Sequence, residues 1–200
     1  EQKEKFQFAH DIYAKLYALI SSYIFIVLFF YSREFILIVF GERYTASIEV
    51  LRVSAFGMPF VFTVAGAIIQ SLDLQRTLAR LQGMAAAFNI IACVILIRFF
   101  GAGGAAAAVV LTGALLFFSM YYFLYRRHSV RLYRTFFLFV KLILIVLALY
   151  ILYATIFSAL FFVYSFLIIS AIYAAAATLL LNGDDIRVIR ETVGVKWIKD

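Results

Sequence analysis

Apolar runs of about 18 residues or more recur along this chain, separated by short charged or glycine-containing segments. A hydrocarbon core about 30 Å thick is crossed by about 20 helical residues, so such runs are long enough to span a membrane. Membrane barrels instead use segments of about 10 residues with alternating polarity, which this sequence lacks. With 66% hydrophobic and 14% charged residues, the chain also differs from soluble domains. We therefore predict an all-α, polytopic membrane helix bundle.

The positions of the apolar runs predict six transmembrane helices. They lie at about 16–31, 48–72, 81–97, 105–125, 136–153 and 158–181. An amphipathic lead-in helix precedes the first span, and a surface helix is predicted in the tail. Ser32, Arg33 and Glu34 interrupt the first run, and the apolar stretch 35–40 is too short to cross a bilayer. A short interfacial half-helix is favoured there over a tilted continuation of the first span.

The basic residues set the predicted orientation. Six spans place both chain ends on one side of the membrane, and 14 of the 18 lysines and arginines fall on that side. Because cytoplasmic loops are enriched in Lys and Arg, both ends are predicted to be cytoplasmic, in a multi-pass protein of the cytoplasmic membrane. This bias also accounts for the net charge of +7, so no nucleic-acid partner is predicted.

A mixed set of side chains follows one face of the second predicted span. The set is Arg52, Phe56, Pro59, Thr63, Gly66 and Gln70. Spacings of three and four residues put them on one side of a helix. Polar groups facing lipid cost free energy, so this face is expected to contact protein or line a wet cavity. Packing against another helix would also account for Thr63 and Gly66, and an interfacial position for Gln70.

Two residues of this stripe have specific predicted roles. Pro59 is the only proline in the chain; it removes a backbone hydrogen bond and should kink the helix, which makes it a hinge candidate or a static bend. Arg52 lies one turn inside one end of the span. Two interpretations stay open for it: it snorkels to the headgroups, or it meets an anion in a cavity.

Further polar and small residues lie within the other spans. Asn89 falls deep in the third span and needs a partner, either an interhelical hydrogen bond or a cavity ligand. Lys141, two turns into the fifth span, either snorkels or supplies a cavity cation. The fourth span begins with small residues that favour close helix packing. These are Gly101, Gly104, Ala105 and Ala108.

The sequence contains no pattern typical of catalysis or metal binding. It holds one cysteine and no Ser/His/Asp, Cys/His or metal-spaced cluster. No cofactor is therefore predicted, and coupling to protons or sodium stays open. No Asp or Glu falls well inside a predicted span. A cavity built partly from this chain should therefore suit an anionic ligand better than a cationic one.

Several segments, in order, resemble one family of transporters. They are FGERY (40–44), VLRVSAFGMPFVF (50–62), QSLDLQR (70–76), Asn89, GAGGAAAA (101–108) and LNGDDIRVIRE (181–191). Together they resemble the C-terminal half of the polysaccharide or O-antigen-type flippases of the multidrug/oligosaccharidyl-lipid/polysaccharide exporter superfamily. The resemblance covers nearly the whole chain.

The resemblance implies a fold of two six-helix bundles with two additional C-terminal helices. Residues 1–134 would be the four-helix part of the C-terminal lobe with its lead-in, 135–181 the two additional helices, and 182–200 a cytoplasmic tail. The chain would then be a piece of a longer protein whose N-terminal lobe is its partner. Rocking of the lobes would move a lipid-linked oligosaccharide across the membrane, with cavity cations meeting its pyrophosphate.

Three alternatives stay open from the residues. A cation-coupled multidrug exporter shares the implied fold, although it would favour carboxylates inside the spans. A membrane glycosyltransferase or ligase would need a large outer loop with catalytic side chains, and the predicted outer loops are short. A structural membrane partner without transport activity is the third.

Overall fold

The computed structural model of the chain describes residues 2–61, 65–128 and 162–181, together with positions 141, 144, 145 and 148. Every regular element in these ranges is helical, which confirms the all-α prediction for this part of the chain. Most of the fifth predicted span, most of the basic segment before it and the predicted surface helix of the tail lie outside the described residues. Two compact units are present, residues 1–142 and 143–200.

The chain begins with one long helix followed by a short one. Helix α1, Gln2–Phe30, joins the predicted lead-in and the first span in 29 residues. Tyr31 ends it, and α2, Ser32–Val39, follows with only 8 residues. At 1.5 Å per residue α2 is about 12 Å long, too short to cross a bilayer. The separate half-helix predicted here is therefore present. A 3-10 turn, Glu42–Tyr44, then leads on to α3.

The helix predicted from residue 48 to residue 72 is broken after Ala55. Its described helical stretches are α3 (Ser47–Ala55), α4 (Met58–Val61) and α5 (Ala65–Ser71), and the chain direction changes by 46° at the break after α3. The reason is local: Pro59 has no N–H, and its ring conflicts with the carbonyl four residues earlier, that of Ala55. Helix α3 ends at that residue. The N–H of Gly57 bonds to the Ser54 carbonyl at 2.9 Å, which closes a tight turn.

Helix α6, Gln75–His128, is a hairpin of two arms. Its 54 residues are helical except at Gly101, where φ is 57° and ψ is −135°. This left-handed conformation suits glycine, which has no Cβ. A Cβ added to Gly104 would clash with the backbone of Leu96, so the two arms meet closely beside the turn. The third and fourth predicted spans are thus two arms, 75–100 and 102–128, each about 40 Å long at 1.5 Å per residue.

The core of the first unit lies where α1, α5 and both arms of α6 meet. Its buried side chains are Ala14, Ala65, Ile68, Ile69, Leu78, Met120, Tyr121 and Leu124. Aromatic rings join the helices nearer the break: Phe56 contacts Phe25 and Phe29 with ring centroids 5.2 and 5.4 Å apart, and Phe60 contacts Phe117 at 5.7 Å. These contacts fix α1 and α6 against the broken segment between them.

Two described helices, α1 and α6, are long and apolar enough to cross a membrane, and the bent α3–α5 segment counts as a third when taken as one span. Large apolar side chains of α6 point outward, including Val94 (70% exposed) and Phe99 (73%). Outward-facing apolar helices of this length are typical of a membrane-embedded protein. The second unit contains α7, Phe162–Leu180, a further apolar helix of 19 residues.

Candidate functional site

Arg52 is bonded to Ser32 on a neighbouring helix. The Arg52 Nε–H, in the last turn of α3, donates a hydrogen bond of 2.8 Å to the Ser32 hydroxyl oxygen in the first turn of α2. Ser32 is fully buried, with 0% of its surface exposed, whereas Arg52 is exposed. The buried hydroxyl therefore fixes one edge of the guanidinium on the protein.

The rest of the Arg52 guanidinium is available to a ligand. Its bond to Ser32 uses Nε, and no other side chain in the described ranges pairs with it. A guanidinium carries five N–H donors in a planar fork that matches phosphate and carboxylate oxygens. Because Nε is anchored, the orientation of the guanidinium is restricted before any anion arrives, which lowers the entropy that binding would cost.

A carboxylate lies on the same short helix as Ser32. Glu34 Oε2 has no accessible surface and no hydrogen-bond partner among the described residues, although the residue as a whole is only half-buried. A buried carboxylate oxygen without a hydrogen-bond partner costs free energy. The sequence placed Glu34 near the end of a span and offered no sign that one of its oxygens would be covered.

The break after α3 divides the predicted stripe between two helical stretches. The break after α3 places Arg52 and Gln70 on different helices, and both are exposed. Phe56 is 49% exposed and contacts α1 aromatics, while a Cβ on Gly66 would lie 3.9 Å from the Met120 sulfur. Thr63 lies outside the described residues. The side of α5 that is buried against the core is instead the one with Ala65, Ile68 and Ile69.

Asn89 belongs to a second polar cluster, between the arms of α6. Its Nδ2 donates a 2.9 Å hydrogen bond to Thr112 Oγ1, and Thr112 donates onward to the Ala108 carbonyl at 2.8 Å. The Cys93 thiol lies 3.6 Å from the Asn89 carbonyl oxygen. Asn89 is therefore paired inside the hairpin. Of the two partners considered for it from the sequence, an interhelical hydrogen bond and a cavity ligand, the structure has the interhelical hydrogen bond.

The other predicted residues fall at separate places. Lys141 is exposed on a helical stretch. Pro59 is partly buried in the first turn of α4. The small residues at the hairpin turn include buried Gly104 and fully buried Ala108. The structure thus brings Arg52 and Asn89 to different partners, on different pairs of helices, instead of into one cluster.

Ser32 and Thr112 are polar partners that the sequence alone did not indicate. Ser32 was visible only as part of an interruption in an apolar run, and nothing in the sequence couples it to a residue 20 positions later. Thr112 lies four residues after Ala108, in the small-residue pattern of the fourth span. An antiparallel pairing across the turn at Gly101 would have placed it near Asn89.

No group of three or more His, Cys, Asp or Glu residues that could hold a metal ion occurs within the described ranges. The chemistry that the Arg52 site offers is anion recognition by an anchored guanidinium. No family model, no curated protein and no solved structure matches this chain.

Proposed function

We propose that this chain is the C-terminal part of a flippase that moves a lipid-linked oligosaccharide across the cytoplasmic membrane by alternating access. The observation that carries the proposal is the Arg52–Ser32 hydrogen bond, which anchors one edge of an exposed guanidinium. Lipid-linked oligosaccharides carry phosphate or pyrophosphate, and a planar guanidinium pairs well with phosphate oxygens. The sequence resemblance to polysaccharide exporters supports the same substrate class.

The proposal includes six spans with both ends of the chain in the cytoplasm. The first unit would cross four times, by α1, by the bent α3–α5 segment and by each arm of α6. A fifth crossing would use residues 136–153 and a sixth would contain α7. The basic residues support this orientation, and it puts Arg52 in the outer half of the bilayer. The N-terminal lobe would supply the facing wall of the cavity and further cations.

The test uses the full-length protein in its native host, with the chromosomal copy under a repressible promoter. Repression should reduce surface glycan and make lipid-linked oligosaccharide accumulate in the membrane fraction, and the wild-type protein should reverse both. Arg52→Ala should lower export by about tenfold, equivalent to about 1.4 kcal/mol, because one charged contact to phosphate is lost. Arg52→Lys should recover part of the loss, because Lys keeps the charge without the planar fork.

The control is Arg98→Ala, which removes an exposed arginine near the hairpin turn, on the same predicted side of the membrane. Immunoblots of the membrane fraction show whether each variant is present in normal amount. Unchanged glycan export on repression would reject the flippase function. Normal export by Arg52→Ala, with the flippase function intact, would reject only the role of Arg52.

A cation-coupled multidrug exporter is the second candidate, favoured by the buried Glu34 oxygen. A carboxylate with a covered oxygen could take up a coupling cation, which an exporter of cationic drugs requires. Under this alternative, repression would raise sensitivity to cationic dyes and leave surface glycan unchanged. Glu34→Gln would then reproduce the sensitivity.

A further inference from the structure

The corner between α1 and α3 carries an exposed apolar surface. We call it the corner surface and define it by five residues, each with its exposed fraction in parentheses. They are Phe35 (41%), Ile38 (72%), Val39 (55%), Phe40 (54%) and Tyr44 (50%). The rings contact one another: Phe35 and Phe40 have centroids 6.5 Å apart, and Phe40 and Tyr44 5.8 Å. The surface is therefore contiguous.

The opposite side of α2 is fixed to the bundle. Ser32 and Ile36, one helical turn apart, are buried, and Ser32 accepts the hydrogen bond from Arg52 on α3. Helix α2 also packs against α1, α3 and the 3-10 turn. Because this side of α2 is packed against the protein, the opposite, apolar side faces outward in a defined orientation.

Two observations indicate that the corner surface meets lipid at the level of the headgroups. Helix α2 joins the end of one apolar helix to the start of an apolar bent segment, so it lies where the chain turns at a membrane surface. Arg33 and Arg43, both exposed, stand on either side of the apolar stretch. Arginines and tyrosines beside an apolar face are typical of helices in the interface, where cations reach phosphates and rings enter the acyl boundary.

We propose that the corner surface lies in the membrane interface. Its residues Ile38, Val39 and Phe40 insert into the acyl chains just below the headgroups of one leaflet. Arg33 and Arg43 bind lipid phosphates above them. These lipid contacts hold the Arg52–Ser32 hydrogen bond at a fixed depth in the bilayer. The inference requires a membrane-embedded protein but not the transport activity proposed above.

The test is spin-label electron paramagnetic resonance on the full-length protein in phosphatidylcholine vesicles. A nitroxide is attached at Ile38→Cys and, separately, at Val39→Cys, with Cys93 replaced by alanine. Collision with oxygen, which concentrates in lipid, is compared with collision with a water-soluble nickel chelate. Lipids labelled at known chain positions calibrate the depth, and Glu42→Cys on the adjacent turn serves as the aqueous reference.

If the corner surface lies in the interface, labels at positions 38 and 39 collide more with oxygen than with nickel, at a depth just below the headgroups. A label at position 42 collides more with nickel than with oxygen. Stronger collision with nickel at 38 and 39 would show a surface in water. Weak collision with both reagents would show a surface covered by protein, from another segment or a second copy. Either of these two results overturns the proposal.

Discussion

Asn89 and Thr112 are 23 residues apart in sequence and are joined by a 2.9 Å hydrogen bond between Nδ2 and Oγ1. In a straight helix, 23 residues would separate them by about 35 Å. The bond therefore depends on the reversal at Gly101, and it ties the two arms of the hairpin together about halfway along their length. Thr112 donates its own hydroxyl proton to the Ala108 carbonyl, so its hydroxyl is both donor and acceptor.

Removing either partner of this bond should loosen the hairpin. Asn89→Ala and Thr112→Val should each destabilise the protein, and the double variant should lose less than the sum. Interhelical hydrogen bonds in membranes are worth about 0.6 to 1.7 kcal/mol, so a coupling energy of that size is expected. The measurement is a double-mutant cycle from unfolding in an SDS titration. A coupling energy of zero would mean that the bond adds nothing to stability.

The adjacent glycines at the hairpin turn should respond oppositely to alanine. A Cβ at Gly104 would clash with the Leu96 backbone, whereas a Cβ at Gly103 meets nothing within 4 Å. Gly104→Ala should therefore cost about 2 to 3 kcal/mol through overpacking. Gly103→Ala should be neutral or stabilise by up to about 1 kcal/mol, because alanine favours the helix. Equal effects in an SDS titration would contradict the close approach at Gly104.

Ser32 should matter more for stability than another serine close by. Ser32→Ala removes the acceptor of the Arg52 Nε–H, and a cost of about 1 kcal/mol is expected because water can reach the exposed arginine. The matched control is Ser54→Ala on α3, whose hydroxyl bonds only to the Val50 carbonyl of its own helix. Thermal unfolding in mixed lipid–detergent micelles compares the two. A larger loss of thermal stability for the Ser54 variant would argue that the Arg52–Ser32 hydrogen bond does not stabilise the packing of α2 against α3.

Glu34 is a residue whose replacement should help stability. Its Oε2 is covered and lacks a partner among the described residues, so Glu34→Gln removes a charge from a place that does not compensate it. The midpoint of thermal unfolding should rise, because a neutral amide costs less to bury than a carboxylate. Glu42→Gln, on the exposed 3-10 turn, should change it little. A fall for the Glu34 variant would indicate that the carboxylate has a stabilising partner in the membrane-embedded protein.

The helices of the described residues were largely predictable because a long apolar run has few alternatives in lipid. The separate α2 followed from the charged interruption at residues 32–34, and the bend followed from Pro59. The helix predicted from residue 48 to residue 72, with a kink at Pro59, is broken between Ala55 and Met58; the sequence indicated the bend but not that the helix would end before the proline. Helix α3 ends at Ala55, four residues before that proline.

The polar contacts were less predictable than the helices. Arg52 and Asn89 stood out because each is polar within an apolar run, but their partners Ser32 and Thr112 are small and common in such runs. Which hydroxyl meets which donor depends on the register of two packed helices, and a single sequence does not give that register. The same reason applies to Glu34, whose covered oxygen results from the packing of α2 against its neighbours.

The reversal at Gly101 also bears on how the protein is made. Both arms of α6 are contiguous in sequence, and Asn89 and Thr112 satisfy each other inside the hairpin. Once the second arm has left the ribosome, the two arms can enter the lipid together without exposing the Asn89 amide unpaired. The hairpin can thus be inserted as one unit, without help from the other helices for these two polar side chains.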